Sequence, residues 1–328
     1  MNLPADARVL VLKPSSLGDI VHTLPVVHAI KKAHPGWRLH WVVNPEWAPL
    51  LEGNADLAGR IRFPRRSLRG LALPFRFHAW AKTLPAKGPW DLALDFQGLL
   101  RSGLMACYSR APHRLGLRDS REGARFFQTA LAETAGLRHA IDRYFALAKL
   151  VGVARPDRLV TPLPEAAPPA MADLSQAVVL HPWSRGEGKS LTHGEIERIA
   201  SEFYPRRVVL VGRPDKKRQV LGGKLRNLAD QTSLPQLVQL MRQAAFVISV
   251  DSGPLHLANA VTHRLLGIHF WSDPRQVGPY RPEAFVWKDG QIRSVAHYQP
   301  AEKSDPTLRP DIVKLTTFVE GQIQQAAS

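Results

Sequence analysis

Four short segments of this chain join hydroxyl, amide and charged side chains where an apolar run gives way to a helix pattern. The first is Lys13-Pro14-Ser15-Ser16-Leu17-Gly18-Asp19. Ser15, Ser16 and Gly18 make a tight turn whose amides can meet an anion at a helix N-terminus, where the backbone dipole is positive. The pattern is not a P-loop, which ends in Gly-Lys-Ser/Thr, and it lacks the Gly-x-Gly-x-x-Gly of dinucleotide sites. Asp19 admits two readings. A carboxylate in a first helical turn caps the helix, and one within reach of a hydroxyl can take its proton as a general base. The local pattern serves both equally. Its place at the edge of an expected ligand cleft, with no competing paired acid, favours the base.

The second segment is Ser249-Val250-Asp251-Ser252-Gly253-Pro254-Leu255-His256. Proline suits a first helical turn, and Ser252-Gly253 lets backbone amides approach a ligand such as a pyrophosphate. His256, one turn in, could donate to a phosphate oxygen. The third, His181 to Lys189, adds the Ser184 hydroxyl and the Lys189 cation to the same phosphates, although Lys189 reads equally as an exposed loop lysine. The fourth, Asp95-Phe96-Gln97-Gly98-Leu99-Leu100-Arg101-Ser102, brings Gln97 and Arg101 to the cleft edge, with Arg118 and Arg121 following. No Asp-x-Asp pair and no His/Cys cluster at metal-ligand spacing accompanies them, so a metal-independent site is expected.

Positioning these residues requires alternating strands and helices. The pattern predicts strands at 9–12, 39–43 and 92–95 and a helix at 20–33, then strands at 177–180, 207–211, 246–250 and 265–270 with helices at 192–203, 234–245 and 254–261. Between the two series lie residues 155–176, with five prolines, read as a linker. Two parallel α/β domains follow, and ligands of such sheets bind at the carboxyl ends of the strands. Cys107, the one cysteine, lies in the apolar run Leu104 to Tyr108 and is read as a buried core thiol. No run of about 18 apolar residues exists to span a bilayer, and residues 8–13 are too short for a signal segment.

The formal net charge is +16. Residues 1–165 carry 24 Lys and Arg against 13 Asp and Glu; residues 166–328 carry 20 against 15. The excess concentrates at 60–87, where Arg60, Arg62, Arg65, Arg66, Arg69, Arg76, Lys82 and Lys87 stand without an acid, interleaved with Phe75, Phe77 and Trp80. Such a mixture suits anionic lipid headgroups; a solvated basic surface is the alternative.

The set SSLGD and HTLP near the start, DFQGLLRS in the first half and SVDSGPLHLA in the second resembles the heptosyltransferase family of inverting glycosyltransferases, glycosyltransferase family 9, in the same order over nearly the whole chain. The resemblance implies a GT-B architecture: two facing Rossmann-like domains with an inter-domain cleft. Its parts are an acceptor-binding domain (1–160), the linker (161–176), an ADP-sugar domain (177–308) and a C-terminal helix (309–328) returning to the first domain. It implies heptose transfer from ADP-heptose, the co-substrate, with no cofactor, to a Kdo residue of inner-core lipopolysaccharide (Kdo-lipid A). Asp19 falls on the catalytic aspartate. Ser184, Lys189, Gly212, Asp215, Asp251, Ser252, Gly253 and His256 fall to the donor. Lys13, Ser15, Ser16, Gly18, Arg65, Arg66, Arg69, Gln97, Arg101 and Arg121 fall to the acceptor. A cytoplasmic monomer peripheral to the inner face of the inner membrane is implied.

Two departures stand out. Relatives follow the phosphate lysine with Trp-Pro and an acid, where this chain has Ser190-Leu191-Thr192-His193-Gly194-Glu195, and Asp215 replaces a ribose-binding glutamate. A later-acting heptosyltransferase adding to core heptose is the nearest alternative. A basic nucleic-acid-binding protein is another, disfavoured because no nucleic-acid module is present. An NAD enzyme lacks its glycine fingerprint.

Overall fold

Short apolar runs become the central strands of two parallel sheets because both faces of such a sheet are covered by helices. The computed structural model describes residues 2–68, 70, 72–167, 174, 176–214 and 225–327. The chain divides into two units, Met1–Pro164 and Glu165–Ser328, and the division falls within the proline-rich stretch.

The first unit holds strands β1 (Arg8–Leu12), β2 (Arg38–Val43), β3 (Leu57–Arg62), β4 (Leu92–Asp95), β5 (His113–Leu117) and β6 (Ala130–Ala132). All pairings are parallel, in the order β3-β2-β1-β4-β5-β6. Among the described residues four α-helices accompany them: α1 (Leu17–Ala33), α2 (Leu73–Ala81), α3 (Leu100–Tyr108) and α4 (Ala140–Lys149). One core layer gathers Leu10, Leu12, Phe63, Phe77, Trp90 and Met105.

The second unit repeats this scheme with β7 (Val178–His181), α5 (His193–Glu202), β8 (Val208–Leu210), β9 (Leu225–Asn227), α6 (Leu234–Gln243), β10 (Phe246–Val250), α7 (Gly253–Val261), β11 (Leu265–Ile268), α8 (Pro274–Val277), β12 (Phe285–Lys288), β13 (Gln291–Ser294) and α9 (Ile312–Ala327). Its sheet runs β13-β12-β11-β10-β7-β8-β9, with β13 antiparallel at one edge.

In both units the strand order reverses beside the first strand, between β1 and β4 and between β7 and β10. Loops leaving the carboxyl ends of those strands diverge, which opens a ligand crevice at each switch point. The four motif segments are the four loops at those two points.

Two expectations are corrected. Cys107 is exposed rather than buried, because it lies on the outer side of the last turn of α3. Phe77 is buried and Trp80 packs edge-on against Phe63, so of the three aromatics in the basic stretch Phe75 stands exposed. Within the second unit the C-terminal helix α9 packs on α5. Its stripe Leu315, Val319 and Ile323 enters the second unit's core, as an i, i+4, i+8 apolar face must.

Candidate active site

In the first unit, Asp19 is the third residue of α1. Its Oδ2 accepts from the backbone N–H and the hydroxyl of Ser16, at 3.0 and 2.7 Å, so the capping reading holds. The same carboxylate is 37 % exposed, and Lys13 Nζ lies 3.6 Å from Oδ1. Tyr144 of α4 donates its hydroxyl to Oδ1 at 3.3 Å. Capping therefore fixes the orientation of a carboxylate that a substrate hydroxyl can still reach.

Lys13 is not presented to solvent. Its ammonium donates to the Phe96 carbonyl at 2.9 Å and to Tyr144 Oη at 2.7 Å, and the residue is 2 % exposed. Burial pulls its pKa down, and the charges of Asp19 and Asp95 oppose that pull. Its position suits holding Asp19 rather than meeting an acceptor. The amides of Ser15 and Ser16 are likewise spoken for: Ser15 N–H donates to Gln97 Oε1 at 3.3 Å and Ser16 N–H to Asp19. Gly18 is buried in the first turn of α1.

Gln97 is held by Asp95. That buried carboxylate accepts from the N–H groups of Gln97 and Gly98, from Ser102 Oγ and from Gln128 Nε2, all within 3.0 Å. Burial pushes its pKa up to about 6 despite these bonds. Beside it opens a cavity of about 240 Å³ lined in part by Ser15, Asn44, Phe63, Arg65, Gln97 and Arg101. Arg65 reaches Ser15 Oγ at 3.3 Å. Arg101 lies over the Phe63 ring, and burial, reinforced by Arg65, lowers its pKa. Arg66 points elsewhere, to Glu46 at 3.3 Å, and Arg60 meets Glu52 at 3.6 Å. Acids from outside the basic stretch therefore neutralise part of it. Arg121 is exposed and tied to Gly98 through its backbone N–H. Arg69 lies outside the described residues.

In the second unit the loops after β7 and β10 are stitched together by Ser184, whose hydroxyl donates to the Asp251 carbonyl at 2.8 Å. Ser252 stands at the N-cap position of α7, and Gly253 and Pro254 follow, so the N-terminus of α7 lies at this switch point. Ser252 Oγ lies 3.2 Å from His181 Nδ1. Gly212 must lack a Cβ: one built there would stand 2.5 Å from the His181 ring, and its φ is +111°. Burial pulls the pKa of His181 to about 4, so the ring is neutral. Asp251 accepts from Ser272 Oγ at 2.5 Å, and Ser272 in turn meets His269 Nδ1 at 2.9 Å. Lys189 is exposed at the end of its loop. His256 is buried in α7, which does not suit direct phosphate contact. Glu195 closes a capping box with Thr192 and pairs with Arg309, so the acid after the lysine serves the loop's shape. Asp215 lies outside the described residues. Among the described residues, no three His, Cys, Asp or Glu side chains cluster as metal ligands.

The family model for glycosyltransferase family 9 (heptosyltransferase) matches residues 77–303. The chain belongs to this family. It is 27 % identical over 304 residues to lipopolysaccharide heptosyltransferase 1 of Escherichia coli, covering 85 % of this chain and 92 % of that one. The enzyme of the same name from Pseudomonas aeruginosa is 28 % identical over 331 residues, covering 90 % and 89 %. Lipopolysaccharide heptosyltransferase 2 of E. coli is 23 % identical over 91 % of each chain. The structure of E. coli heptosyltransferase WaaC with ADP superposes with a TM-score of 0.77 at 22 % identity, covering 96 % of this chain and 99 % of that one. The family 9 chain is thus a glycosyltransferase with the GT-B-type fold of its relatives.

Sequence reasoning missed Tyr144, Asn44, His181 and the Ser272–His269 pair as members of these sites. Tyr144 lies 125 residues from the aspartate it touches, and no local pattern announces that.

Proposed function

We propose that this enzyme moves heptose from ADP-heptose onto a Kdo residue of the lipopolysaccharide inner core, with Asp19 as general base and without a metal ion. The observation that carries this reading is the Asp19 carboxylate, oriented by Ser16 and flanked by buried Lys13, in the same unit as a cavity lined by Arg65 and Arg101. Asp19 takes the proton of the acceptor hydroxyl as its oxygen attacks the anomeric carbon. The bond from that carbon to the diphosphate oxygen breaks, and ADP leaves with the electron pair. The helix dipole of α7, its amides and Lys189 then stabilise the departing charge.

The anionic acceptor accounts for the basic first half, so nucleic acid is not needed to explain it. No helix among the described residues is long and apolar enough to cross a membrane. On this reading the enzyme works as a monomer at the cytoplasmic face of the inner membrane, with Phe75 and nearby cations toward the lipid. A second reading, addition to core heptose, draws on the 23 % match to a heptosyltransferase 2. Purified enzyme with ADP-heptose and either Kdo-lipid A or heptosylated core, scored for ADP release, separates the two. Turnover with Kdo-lipid A supports the first reading, and turnover with heptosylated core alone replaces it with the second.

A further inference from the structure

Asn44 directly follows β2 and lines the first unit's cavity. Its backbone is fully used: the N–H donates to the Pro14 carbonyl, and its own carbonyl accepts from Trp47 and Ala48. Its side chain is not. The residue is 1 % exposed, yet neither Nδ2 nor Oδ1 has a hydrogen-bond partner. Among the described residues, it is the one side chain with both polar ends buried and unpaired. A buried amide without partners costs a fold more than an apolar group of the same shape.

The cavity supplies the context. Arg65 and Arg101 line it together, and their guanidinium groups call for an anion. Glu122 also lines it but accepts the Leu100 N–H at 3.2 Å. An amide offers a donor and an acceptor side by side, which matches a hydroxyl that both gives and takes a hydrogen bond. At about 240 Å³ the space is smaller than the roughly 300–1,000 Å³ that encloses a drug-sized ligand. It suits one compact group.

We propose that Asn44 is a specificity-determining residue that reads a free hydroxyl next to the carboxylate held by Arg65 and Arg101, so that the cavity selects a hydroxylated sugar acid in the acceptor. This rests on the reading of the first unit as the acceptor side. Such a site explains why the amide finds no partner within the chain: its partners arrive with the substrate.

Asn44→Leu, close in size, and Asn44→Ala test it by steady-state kinetics with ADP-heptose and Kdo-lipid A, alongside thermal unfolding of the free enzyme. Each variant should raise the acceptor KM about tenfold, as loss of a hydrogen bond does. The donor KM should stay within about twofold, and Tm should hold or rise because an unpaired amide has gone. The KM rise should persist with an acceptor whose lipid A phosphates have been removed. Its disappearance there would mean a phosphate is read instead and would overturn the proposal. An unchanged acceptor KM would overturn it too, as would a fall in Tm with both KM values rising in both variants. Arg101→Ala runs in parallel. If it raises acceptor KM while the Asn44 variants do not, this inference alone fails; if neither moves it, the acceptor assignment of the unit fails.

Discussion

Lys13 Nζ and Asp19 Oδ1 stand 3.6 Å apart, the lysine buried and the carboxylate partly open, while the other carboxylate oxygen caps the helix that carries it. On the proposed mechanism one residue does two jobs, and substitution can divide them. Asn keeps an oxygen for the Ser16 N–H but cannot accept a proton usefully. Asp19→Asn should lower kcat by about 10²–10⁴, the range for losing a general base, with Tm nearly unchanged and ADP binding intact. Asp19→Ala should lose the same activity and add about 0.5–2 kcal/mol of destabilisation from the lost cap. Turnover of Asp19→Asn within a few-fold of the parent would leave Asp19 a cap only.

The arginines at and near the cavity should not behave alike. Arg101 is half-buried at the cavity and Arg65 exposed at its rim, whereas Arg66 is engaged by Glu46. Arg101→Ala should raise the acceptor KM about tenfold, as expected for a partly desolvated charged hydrogen bond. Arg65→Ala should raise it about two- to fivefold, as an exposed pair allows, and Arg66→Ala hardly at all. Added salt should mimic the Arg65 defect more than the Arg101 defect. A ranking with Arg66 first in acceptor kinetics would contradict the geometry.

Acid should loosen the second unit before the first. Burial holds His181 and His269 near pKa 4, well below their ordinary 6.5. As pH falls from about 6.5 to 4, the unfolded chain takes up protons that the folded rings refuse, and stability falls by about 1.4 kcal/mol per histidine per pH unit. In the first unit Asp95 works in the opposite sense. Its folded pKa, about 6, lies above the ordinary 3.8, so protonation over the same window favours the folded state. Hydrogen exchange resolved by peptide, between pH 7 and 5, should show protection falling at β7 and β11 and holding at β4. Equal loss in both units would refute this balance.

Turnover should survive excess EDTA. On the proposed mechanism α7, its amides and Lys189 carry the diphosphate charge, so chelation removes nothing the reaction uses. Loss of activity in EDTA that magnesium or manganese restores would show that a metal shares that task.

The sequence made the switch-point loops legible because each follows a run of buried aliphatic residues and carries its own turn chemistry. It did so less well for β3, β5 and β9, which lie toward sheet edges and mix polar residues into short strands. Lys13 looked like a ligand contact because its charge was visible and its burial was not. Phe77 and Phe75 are two residues apart in one basic segment, yet the first enters the core and the second faces solvent. Which side of α2 meets the sheet decides that, and nine residues are too few to show it. Asn44 was silent for a different reason: its oddity is the lack of a partner, and only packing reveals a lack.

Arg309 joins residues made far apart in time. It donates to Glu195 and to the Ser190 carbonyl and lies 4.3 Å over the Phe270 ring, so the loop carrying Lys189 is fastened by a side chain near the end of the chain. The contacts that define the first unit lie among residues 1–164, all made before the second unit begins, and leading domains commonly fold during synthesis. The second unit has no such head start. The loop carrying Lys189 must wait for translation to reach Arg309, so a prematurely terminated chain would lack the side chain that fastens it.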